Sequence, residues 1–352
     1  MQRRSLILLP MALRAADTVL PNGIYHDRAL VFEGKGLRVR AETPGGVVLT
    51  GSSSLVIRGE DISVEGLHFR DGAAPKAVIT IDGSRCRVSQ CAIVNYNGPD
   101  KAIDTKWVSI YGRENEFDHN YIAGKLNRGT TLVVWLKKGD TVGASHQIHH
   151  NHFGLRQPLG ENGGETIRVG DSSTSLQPGL CRIENNWFTH CDGEIEIISN
   201  KSCGNEYRGN VFESCDGTLT LRHGNACLVE RNVFLGNHYK RAGGVRIIGE
   251  DHRVEANYFE NLPGKANRAA ISVMQGIVDT PLNGYAQVKR AQVRNNTIIG
   301  CAEAIAVGVK GANTTLDPVD LKIESNHIDA PNAKRPSYIP IEEAGPTWRK
   351  SG

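Results

Sequence analysis

The sequence predicts a single-domain, all-β protein folded as a right-handed parallel β-helix, a solenoid of about ten or more rungs. Three observations predict it: an apolar strand ending in Asn-x-Phe or Asn-x-Ile recurs along the chain, a second strand of the same phase precedes most copies, and no helical periodicity separates them. The 39 glycines among 352 residues and the 6% aromatic content agree with many tight turns and small, stacking side chains.

The repeat consists of strand, turn, strand and turn, with insertions of variable length. Its asparagines are Asn120, Asn151, Asn186, Asn210, Asn232, Asn257, Asn296 and Asn326. Two earlier copies, Leu67-His68-Phe69 and Cys91-Ala92-Ile93, keep the register without the Asn. Successive copies are 22 to 39 residues apart, shorter than the roughly 40 to 50 residues of a propeller blade. We expect the repeated Asn side chains to stack inside a turn and to bond backbone groups of adjacent rungs.

Residues 17–330 are assigned to the β-helix, and the flanking segments differ from it in composition. Residues 1–16 combine a basic start with a short apolar stretch, which is typical either of a signal peptide or of the remnant of an N-terminal capping helix. Residues 331–352 lack the repeat and are predicted to form an irregular C-terminal tail or cap. No apolar run is long enough to predict a membrane span. The net charge of +3 is too small to predict a nucleic-acid partner, and no obligate protein partner is indicated.

Cysteine and histidine residues are the first candidates for metal ligands. The eight cysteines recur at a few fixed phases of the rung and include no Cys-x-x-Cys pair, so we expect stacked interior thiols and not a zinc site. The histidines His146, His149, His150 and His152 lie where a strand enters a turn. We interpret them as hydrogen-bonded turn histidines and not as metal ligands.

The stretch 192–201 carries a compact set of charged side chains. It is predicted to be a short strand that runs into a polar loop, with Glu194 and Glu196 on one face and Lys201 on the exposed loop. Aligning neighbouring strands by phase places Arg168 beside Glu196 from the rung below. One wall of the solenoid is thereby predicted to present Asn162, Arg168, Glu194, Glu196, Lys201, Arg222, His223 and Arg246. Hard oxygen ligands next to cations suit a divalent cation together with an acidic ligand.

The spacing of these residues resembles that of the family 6 polysaccharide lyases, parallel β-helix enzymes that include alginate lyases and chondroitinase B. Glu194-x-Glu196 is followed five residues later by Lys201, Arg222 lies 21 residues further on, and Asn162 lies 39 before Lys201. Further similar stretches are 17–25, 107–112, 124–125, 132–135, 162–165, 221–225 and 243–249. The chain departs from the family in its short N-terminus, where a longer helical cap is usual.

The resemblance implies a function and a role for each residue of the wall. Lys201 is expected to act as general base and Arg222 as general acid, although arginine rarely gives up a proton. The expected ligands of Ca²⁺ are Asn162, Glu194 and Glu196, and the expected substrate-binding residues are Arg168, His223, Arg246 and Lys125. Each of the last four can equally be a structural partner, Arg168 of Glu196 in particular. A lysine is normally protonated below a pH of about 10, so a base role requires neighbouring cations that favour the neutral amine.

The expected reaction is β-elimination within a polymer of 4-linked uronates, an acidic polysaccharide. Alginate is the preferred candidate and dermatan sulfate the alternative, and a periplasmic or secreted location is expected. A carbohydrate-binding solenoid without activity is the competing interpretation. Such a protein would use aromatic platforms, and none of the four tryptophans falls in the charged wall. A glycosidase would need two carboxylates on either side of the bond, whereas neighbouring glutamates suit a cation better.

Overall fold

A computed structural model describes residues 17–329, 341–342 and 347–349. Its strands belong to three parallel sheets of 13, 13 and 11 strands, here called sheets A, B and C, and consecutive strands of the chain go to the three sheets in turn. Each of the first eleven rungs therefore adds one strand to each sheet, and the last two described rungs add strands to sheets A and B only. This is the predicted right-handed parallel β-helix. The segment 1–16 lies outside the described residues. Of 331–352 the structure describes two short strands only, which pair with sheets A and B.

The strands are short and their bounds follow the repeat. Sheet A contains Asp17–Leu20, Arg38–Ala41, Ser63–Glu65, Arg87–Ser89, Glu116–Asp118, Gln147–His149, Arg182–Glu184, Glu206–Arg208, Leu228–Glu230, Arg253–Glu255, Gln292–Arg294, Leu321–Glu324 and Ile341–Glu342. Sheet B contains Gly23–His26, Val47–Gly51, Leu67–Gly72, Ala92–Val94, Tyr121–Ala123, His152–Arg156, Trp187–Cys191, Val211–Glu213, Val233–Leu235, Tyr258–Glu260, Thr297–Ile299, His327–Asp329 and Thr347–Arg349. Sheet C contains Ala29–Lys35, Ser54–Glu60, Ala77–Ser84, Lys106–Arg113, Leu132–Val134, Ile167–Gly170, Glu196–Lys201, Thr218–His223, Val245–Ile247, Ile271–Met274 and Ile305–Val309.

Helical structure among the described residues is limited to two single 3₁₀ turns, Ser172–Thr174 and Ala266–Arg268. No helix in the described part of the chain has the length and apolar character needed to cross a membrane.

The core is a set of side-chain ladders, because residues of the same phase stack on neighbouring rungs. Five phenylalanines form one such ladder on sheet B, with ring centroids 4.6 to 5.1 Å apart. They are Phe153, Phe188, Phe212, Phe234 and Phe259. The stacked rings bury their faces against one another. Residues at the same position of the repeat therefore pack directly on each other in the core.

The repeated asparagines stack in the turn between sheets A and B, as predicted. The Asn186 backbone N–H donates to the side-chain oxygen of Asn210 at 3.0 Å, and the Asn186 side-chain amide donates to the Ile148 carbonyl at 2.8 Å. The same pattern links each of the eight asparagines to the next, from Asn120 to Asn326. Buried turn groups need such partners, and therefore Asn recurs at this phase.

The eight cysteines carry free thiols, and all but Cys203 are buried. On neighbouring rungs, the Cys191 backbone N–H donates to the Cys215 sulfur at 3.4 Å. Burial raises the pKa of the Cys91 thiol to about 12, and it raises the pKa of Cys181 to the same value. Thiolates are the reactive and metal-binding form, so these buried side chains behave as core residues.

Candidate active site

The outward face of sheet C carries most of the residues predicted to be functional. It is formed by four consecutive strands, Ile167–Gly170, Glu196–Lys201, Thr218–His223 and Val245–Ile247. In-register pairing aligns Arg168, Ser199, Thr220 and Arg246 in one column along the axis of the solenoid. We call this face the charged wall.

The register of the wall differs from the prediction. Arg168 was expected beside Glu196, but it pairs with Ser199, while Glu196 pairs with Thr218 from the rung above. Alignment by phase fails here because the strand does not alternate strictly: Ile197 and Ile198 are both buried, at 1% and 0% exposure, and the pairing with Thr218–His223 changes register between Glu196 and Ile198. After such an irregularity, the residues of the strand no longer lie opposite the partners that strict alternation would give them.

The expected local structure around Glu194 and Lys201 is also wrong. Glu194 lies in a bend before the strand, and Lys201 is the last residue of the strand and not part of an exposed loop. The strand continues through the polar Asn200 because backbone carbonyl groups inside the solenoid accept hydrogen bonds from its side-chain amide. Asn200 Nδ2 donates to the Ser202 and His223 carbonyls at 2.9 and 2.7 Å.

Three carboxylates meet at the beginning of the wall. Glu165, Glu194 and Glu196 each place an oxygen within 4.8 Å of the others. Glu165 was not among the predicted ligands, and its Oε2 accepts a hydrogen bond from Thr130 Oγ1 at 2.8 Å. The three side chains come from two rungs, and we call them the carboxylate cluster.

Glu196 is the carboxylate with protein partners for both oxygens. Its Oε1 accepts from Arg246 Nη2 at 2.5 Å and its Oε2 accepts from Ser199 Oγ at 2.5 Å. Arg222 Nε lies 3.7 Å from the same Oε1. The structural partner of Glu196 is therefore Arg246, two rungs away, and not Arg168.

Glu194 is the carboxylate that fits a cation. Its Oε2 accepts from the Gly163 backbone N–H at 3.1 Å, but its buried Oε1 has no hydrogen-bond partner among the described residues. Burial, followed by the charges of Glu165 and Glu196, raises the pKa of the Glu194 carboxyl to about 8. An unpartnered buried carboxylate oxygen beside two other carboxylates matches what an oxygen-seeking divalent cation requires.

Asn162 lies at the edge of the carboxylate cluster and is exposed. It lines a cleft of about 390 Å³ together with Glu194. The opposite lining includes Arg241 and Arg268, which donate to Asp216 at 2.7 and 2.6 Å. The cleft is thus lined by a neutral amide oxygen, by carboxylates and by two arginines. Arg241 and Arg268 were not among the site residues predicted from the sequence.

Arg222 is held in place by an insertion that follows the strand Ile271–Met274. Its Nη1 donates to the Gly284 carbonyl at 2.8 Å and its Nη2 to the Asn283 carbonyl at 3.1 Å. The guanidinium also lies over the ring of Tyr285, 4.3 Å from the centroid. Burial lowers the pKa of Arg222.

His223 lies beside Arg222 but is not a cation at neutral pH. Burial, followed by the charges of Arg222 and Lys201, lowers the pKa of its imidazole to about 3. The ring nitrogens lie 3.3 Å from Arg222 Nη1 and 3.4 Å from Ser172 Oγ. A neutral, buried His223 packs against Arg222. It carries no positive charge that would attract a negatively charged sugar.

Arg168 and Lys125 differ in their access to a ligand. Arg168 is half-buried on the wall, lies over the Trp135 ring at 5.2 Å, and has a buried Nε without a hydrogen-bond partner among the described residues. Lys125 is 1% exposed. Its ammonium donates to the side-chain and backbone oxygens of Asn127 and to the Arg128 carbonyl, at 2.9 to 3.1 Å. The structure therefore brings Arg168, but not Lys125, to the surface of the wall.

Glu165 and Tyr285 were not among the predicted site residues, and the sequence pattern could have indicated only the first of them. Glu165 directly follows Asn162-Gly-Gly and enters the cluster through the same register shift that moved Arg168. Tyr285 lies in an insertion without the repeat, and no local pattern links it to Arg222.

Comparison with known proteins adds independent findings. The family model for chondroitinase B matches residues 11–339. Among solved structures, the polysaccharide lyase family 6 alginate lyase AlyGC matches with a TM-score of 0.87 and 37% identity, over 94% of this chain and 50% of AlyGC. A mannuronic-acid-specific family 6 lyase from human gut microbiota matches with a TM-score of 0.83 and 31% identity, over 94% of this chain and 77% of that one.

A third match is the family 6 polysaccharide lyase Pedsa3628 from Pseudopedobacter saltans, with a TM-score of 0.81 and 27% identity, over 93% of this chain and 84% of that one. The chain spans about half the length of AlyGC. No curated protein sequence matches the chain.

Proposed function

The chain belongs to the chondroitinase B family, and from this premise we propose that it is a polysaccharide lyase that cleaves alginate by β-elimination. One observation carries the proposal: the strand Glu196–Lys201 begins in the carboxylate cluster and ends at Lys201, with Arg222 on the next rung. A base, a cation-binding group and a fixed positive charge therefore stand on one face of three consecutive rungs.

The choice of alginate rests on the similar structures. AlyGC is named as an alginate lyase, and a related structure is a family 6 alginate lyase in complex with a trisaccharide. Dermatan sulfate is the second candidate, because the matching family model bears the name of chondroitinase B. The small net charge of +3 favours the polymer without sulfate groups.

In the proposed reaction, Lys201 removes the proton at C5 of the uronate. The electron pair of that C–H bond forms the C4–C5 double bond, the C4–O4 bond breaks, and the O4 oxygen takes a proton from water. The side chain of Lys201 forms no ion pair or hydrogen bond with the described residues, so its nitrogen is available to the substrate.

We assign Arg222 the role of stabilising negative charge on the substrate, and not that of proton donor. Its two terminal nitrogens already donate to the carbonyls of Gly284 and Asn283, and Tyr285 covers one face of the guanidinium. A guanidinium fixed in this way is preorganised, and fixed charges at the position where charge develops contribute most to such catalysis.

The donor set fits Ca²⁺, which Glu165, Glu194, Glu196 and Asn162 would hold. When bound, Ca²⁺ neutralises the uronate carboxylate and so makes the C5 proton more acidic. Glu194 would contribute the oxygen that has no protein partner, whereas Glu196 would divide its charge between the cation and Arg246.

Binding of further uronates is proposed for the arginines at the two edges of the wall. Arg168 keeps an unpartnered Nε and rests on Trp135. Arg241 and Arg268 line the cleft beyond Glu194. His223 and Arg246 are proposed to act by supporting Arg222 and Glu196.

We also propose that the protein acts outside the cytoplasm, in the periplasm or after secretion. A polyanionic polymer does not cross a membrane unaided, so a lyase for intact chains has to meet it there. Fractionation of cells that make the protein, followed by immunodetection, tests this location; recovery of the protein only from the cytoplasmic fraction would contradict it.

The experiment for the function is incubation with alginate and, separately, with dermatan sulfate, while the ultraviolet absorbance of the new double bond is followed. We expect absorbance to rise with alginate and not with dermatan sulfate. The reverse result would assign the dermatan sulfate reaction. Binding of either polymer without any rise in absorbance would favour a carbohydrate-binding solenoid.

A further inference from the structure

A second group of candidate metal ligands lies at the end of two sheet A strands and in the turns that follow them. Asp118 and His149 are in register on neighbouring strands, and each is followed in the turn by a histidine, His119 and His150. These two turn histidines have the same left-handed backbone, with φ of 53° and 54°. Their rings are parallel, with centroids 5.0 Å apart. The repeat therefore stacks the dipeptides Asp118-His119 and His149-His150 on each other.

The tautomer of His149 is set by a carboxylate. His149 Nε2 lies 2.8 Å from Glu116 Oε1. An ionised carboxylate only accepts hydrogen bonds, so Nε2 carries the proton and Nδ1 of neutral His149 carries a lone pair. That Nδ1 faces Nδ1 of His150 at 2.8 Å. Two ring nitrogens directed at each other share one proton or one metal ion, and a carboxylate behind a histidine is the usual outer partner of a metal ligand.

We propose that His149 and His150 bind a divalent transition-metal ion of the Zn²⁺ type through Nδ1, with His119 as the third nitrogen donor. A nitrogen of His119 and one of His149 lie within 4.8 Å of each other and of an Asp118 oxygen. Imidazole nitrogens suit Zn²⁺, Cu²⁺ and Ni²⁺, whereas Ca²⁺ prefers oxygen.

The remaining groups around these histidines act as outer partners. Asp118 stays paired with Arg87, whose Nε and Nη2 donate to its two oxygens at 2.8 and 2.6 Å. Asp118 Oδ2 also lies 2.7 Å from His119 Nδ1. The His119 side chain is 55% exposed, so its ring can turn toward the ion without disturbing the core.

The other histidines of the sequence run do not take part. The Nδ1 of buried His146 accepts from the Asn115 backbone N–H at 3.0 Å. His152 packs between the rings of Tyr121 and Trp187, with centroids 5.1 and 4.6 Å away. His152 Nε2 also lies 2.8 Å from Thr189 Oγ1, so the interpretation as a hydrogen-bonded histidine holds for His152. It holds only for Nδ1 of His146, because its buried Nε2 has no hydrogen-bond partner among the described residues. His149 and His150 form the proposed site.

The experiment is a calorimetric titration of the chelator-treated, untagged full chain with Zn²⁺ in excess Ca²⁺, which occupies oxygen-rich sites. We expect one Zn²⁺ per chain, at least about tenfold weaker binding in His150→Ala and in His119→Ala, and about 10- to 100-fold weaker binding in Glu116→Gln. Co²⁺ in place of Zn²⁺ should give visible absorption from nitrogen ligation. His190→Ala, at an exposed histidine of the sheet B strand Trp187–Cys191 that has the same left-handed backbone, is the matched control and should bind Zn²⁺ normally.

A second readout is independent of the shape of the titration. An ion that bridges two rungs stabilises the folded chain by mass action, so saturating Zn²⁺ should raise Tm by about 3 °C or more in the wild type and in His190→Ala but not in His150→Ala. The proposal fails if the wild type binds no Zn²⁺, or if His150→Ala binds it as tightly as the wild type. Because the site is separate from the charged wall, loss of lyase activity leaves this test unaffected.

Discussion

Arg246 and Glu196 are joined by a hydrogen bond of 2.5 Å between Nη2 and Oε1, although their strands lie two rungs apart in sheet C. Both side chains are buried. The guanidinium therefore spans the intervening rung and neutralises part of the carboxylate cluster. The cluster keeps one charge-compensated member, Glu196, and one member with an unpartnered oxygen, Glu194.

We predict that Arg246→Met lowers the free energy of unfolding by about 3–5 kcal/mol, because it leaves a buried carboxylate without its main partner. Adding Glu196→Gln should recover part of the loss, since no uncompensated charge then remains. Arg168→Met is the matched control and should cost much less, because Arg168 forms no ion pair in the described part of the chain. Urea denaturation measures all three. If Arg168→Met and Arg246→Met lowered the free energy of unfolding equally, Arg168 would be a partner of Glu196, as the sequence alignment predicted.

The proposed base gives the second prediction. Lys201→Ala should reduce the rate of double-bond formation by about 10² to 10⁴, the usual contribution of a positioned base. Its side chain is half-buried at the end of a strand and makes no ion pair with the described residues, so the melting temperature should change little. Lys138→Ala, at an exposed position, is the control and should keep the wild-type rate. Turnover by Lys201→Ala close to that of the wild type would remove Lys201 from the mechanism.

The solenoid could be predicted from the sequence because its determinants are local and repeated. Each Asn of the turn bonds the next, so the motif that is visible in the sequence is also the contact that builds the fold. The charged wall could be predicted for the same reason, since residues of one phase share a face.

The register within the wall could not be predicted. Two consecutive isoleucines, Ile197 and Ile198, face the core, and nothing in the sequence distinguishes which of them continues the alternation. Because alternation fails there, alignment by phase misplaced the neighbouring strand: Arg168 pairs with Ser199 and not with Glu196, and Glu165 joins the carboxylate cluster. Tyr285 lies in an insertion whose position depends on tertiary contacts with Arg222, and these have no local signature.

The metal gives the third prediction. A chelator should suppress activity and Ca²⁺ should restore it, because the oxygen of Glu194 without a protein partner is the strongest indication of a cation site. Glu194→Gln and Glu165→Gln should each weaken Ca²⁺ binding in calorimetry by about tenfold or more, which is roughly 1.4 kcal/mol. Glu114→Gln is the control, because Glu114 is exposed and does not line the cleft that contains Glu194 and Asn162. Full activity of thoroughly chelated protein would assign the three glutamates a structural role.

Tyr285 gives the fourth prediction, which separates packing from proton donation. Tyr285→Ala removes the ring under the Arg222 guanidinium and should lower kcat/KM by about 3- to 30-fold, as expected for a cation–π contact of ~0.5–2 kcal/mol. Tyr285→Phe keeps the ring and should stay within about twofold of the wild type. A loss of about a hundredfold in Tyr285→Phe would instead identify the phenol as the proton donor to O4.

Lys125 gives the last prediction, which concerns stability and its pH dependence. Burial lowers the pKa of its ammonium to about 6, from 10.5 in the unfolded chain. Between these two values the unfolded chain binds more protons than the folded chain, so this group makes stability rise with pH. Lys125→Met has no ionisable group at this position. The unfolding free energy of the wild type should therefore increase relative to that of the variant from pH 6 to pH 9, by at most about 1.4 kcal/mol per pH unit. KM for alginate should not change, because the ammonium is enclosed by carbonyl groups of residues 127–128 and cannot reach a uronate. Denaturation curves that stay parallel over this pH range, or a raised KM with unchanged stability, would return Lys125 to the substrate-binding residues.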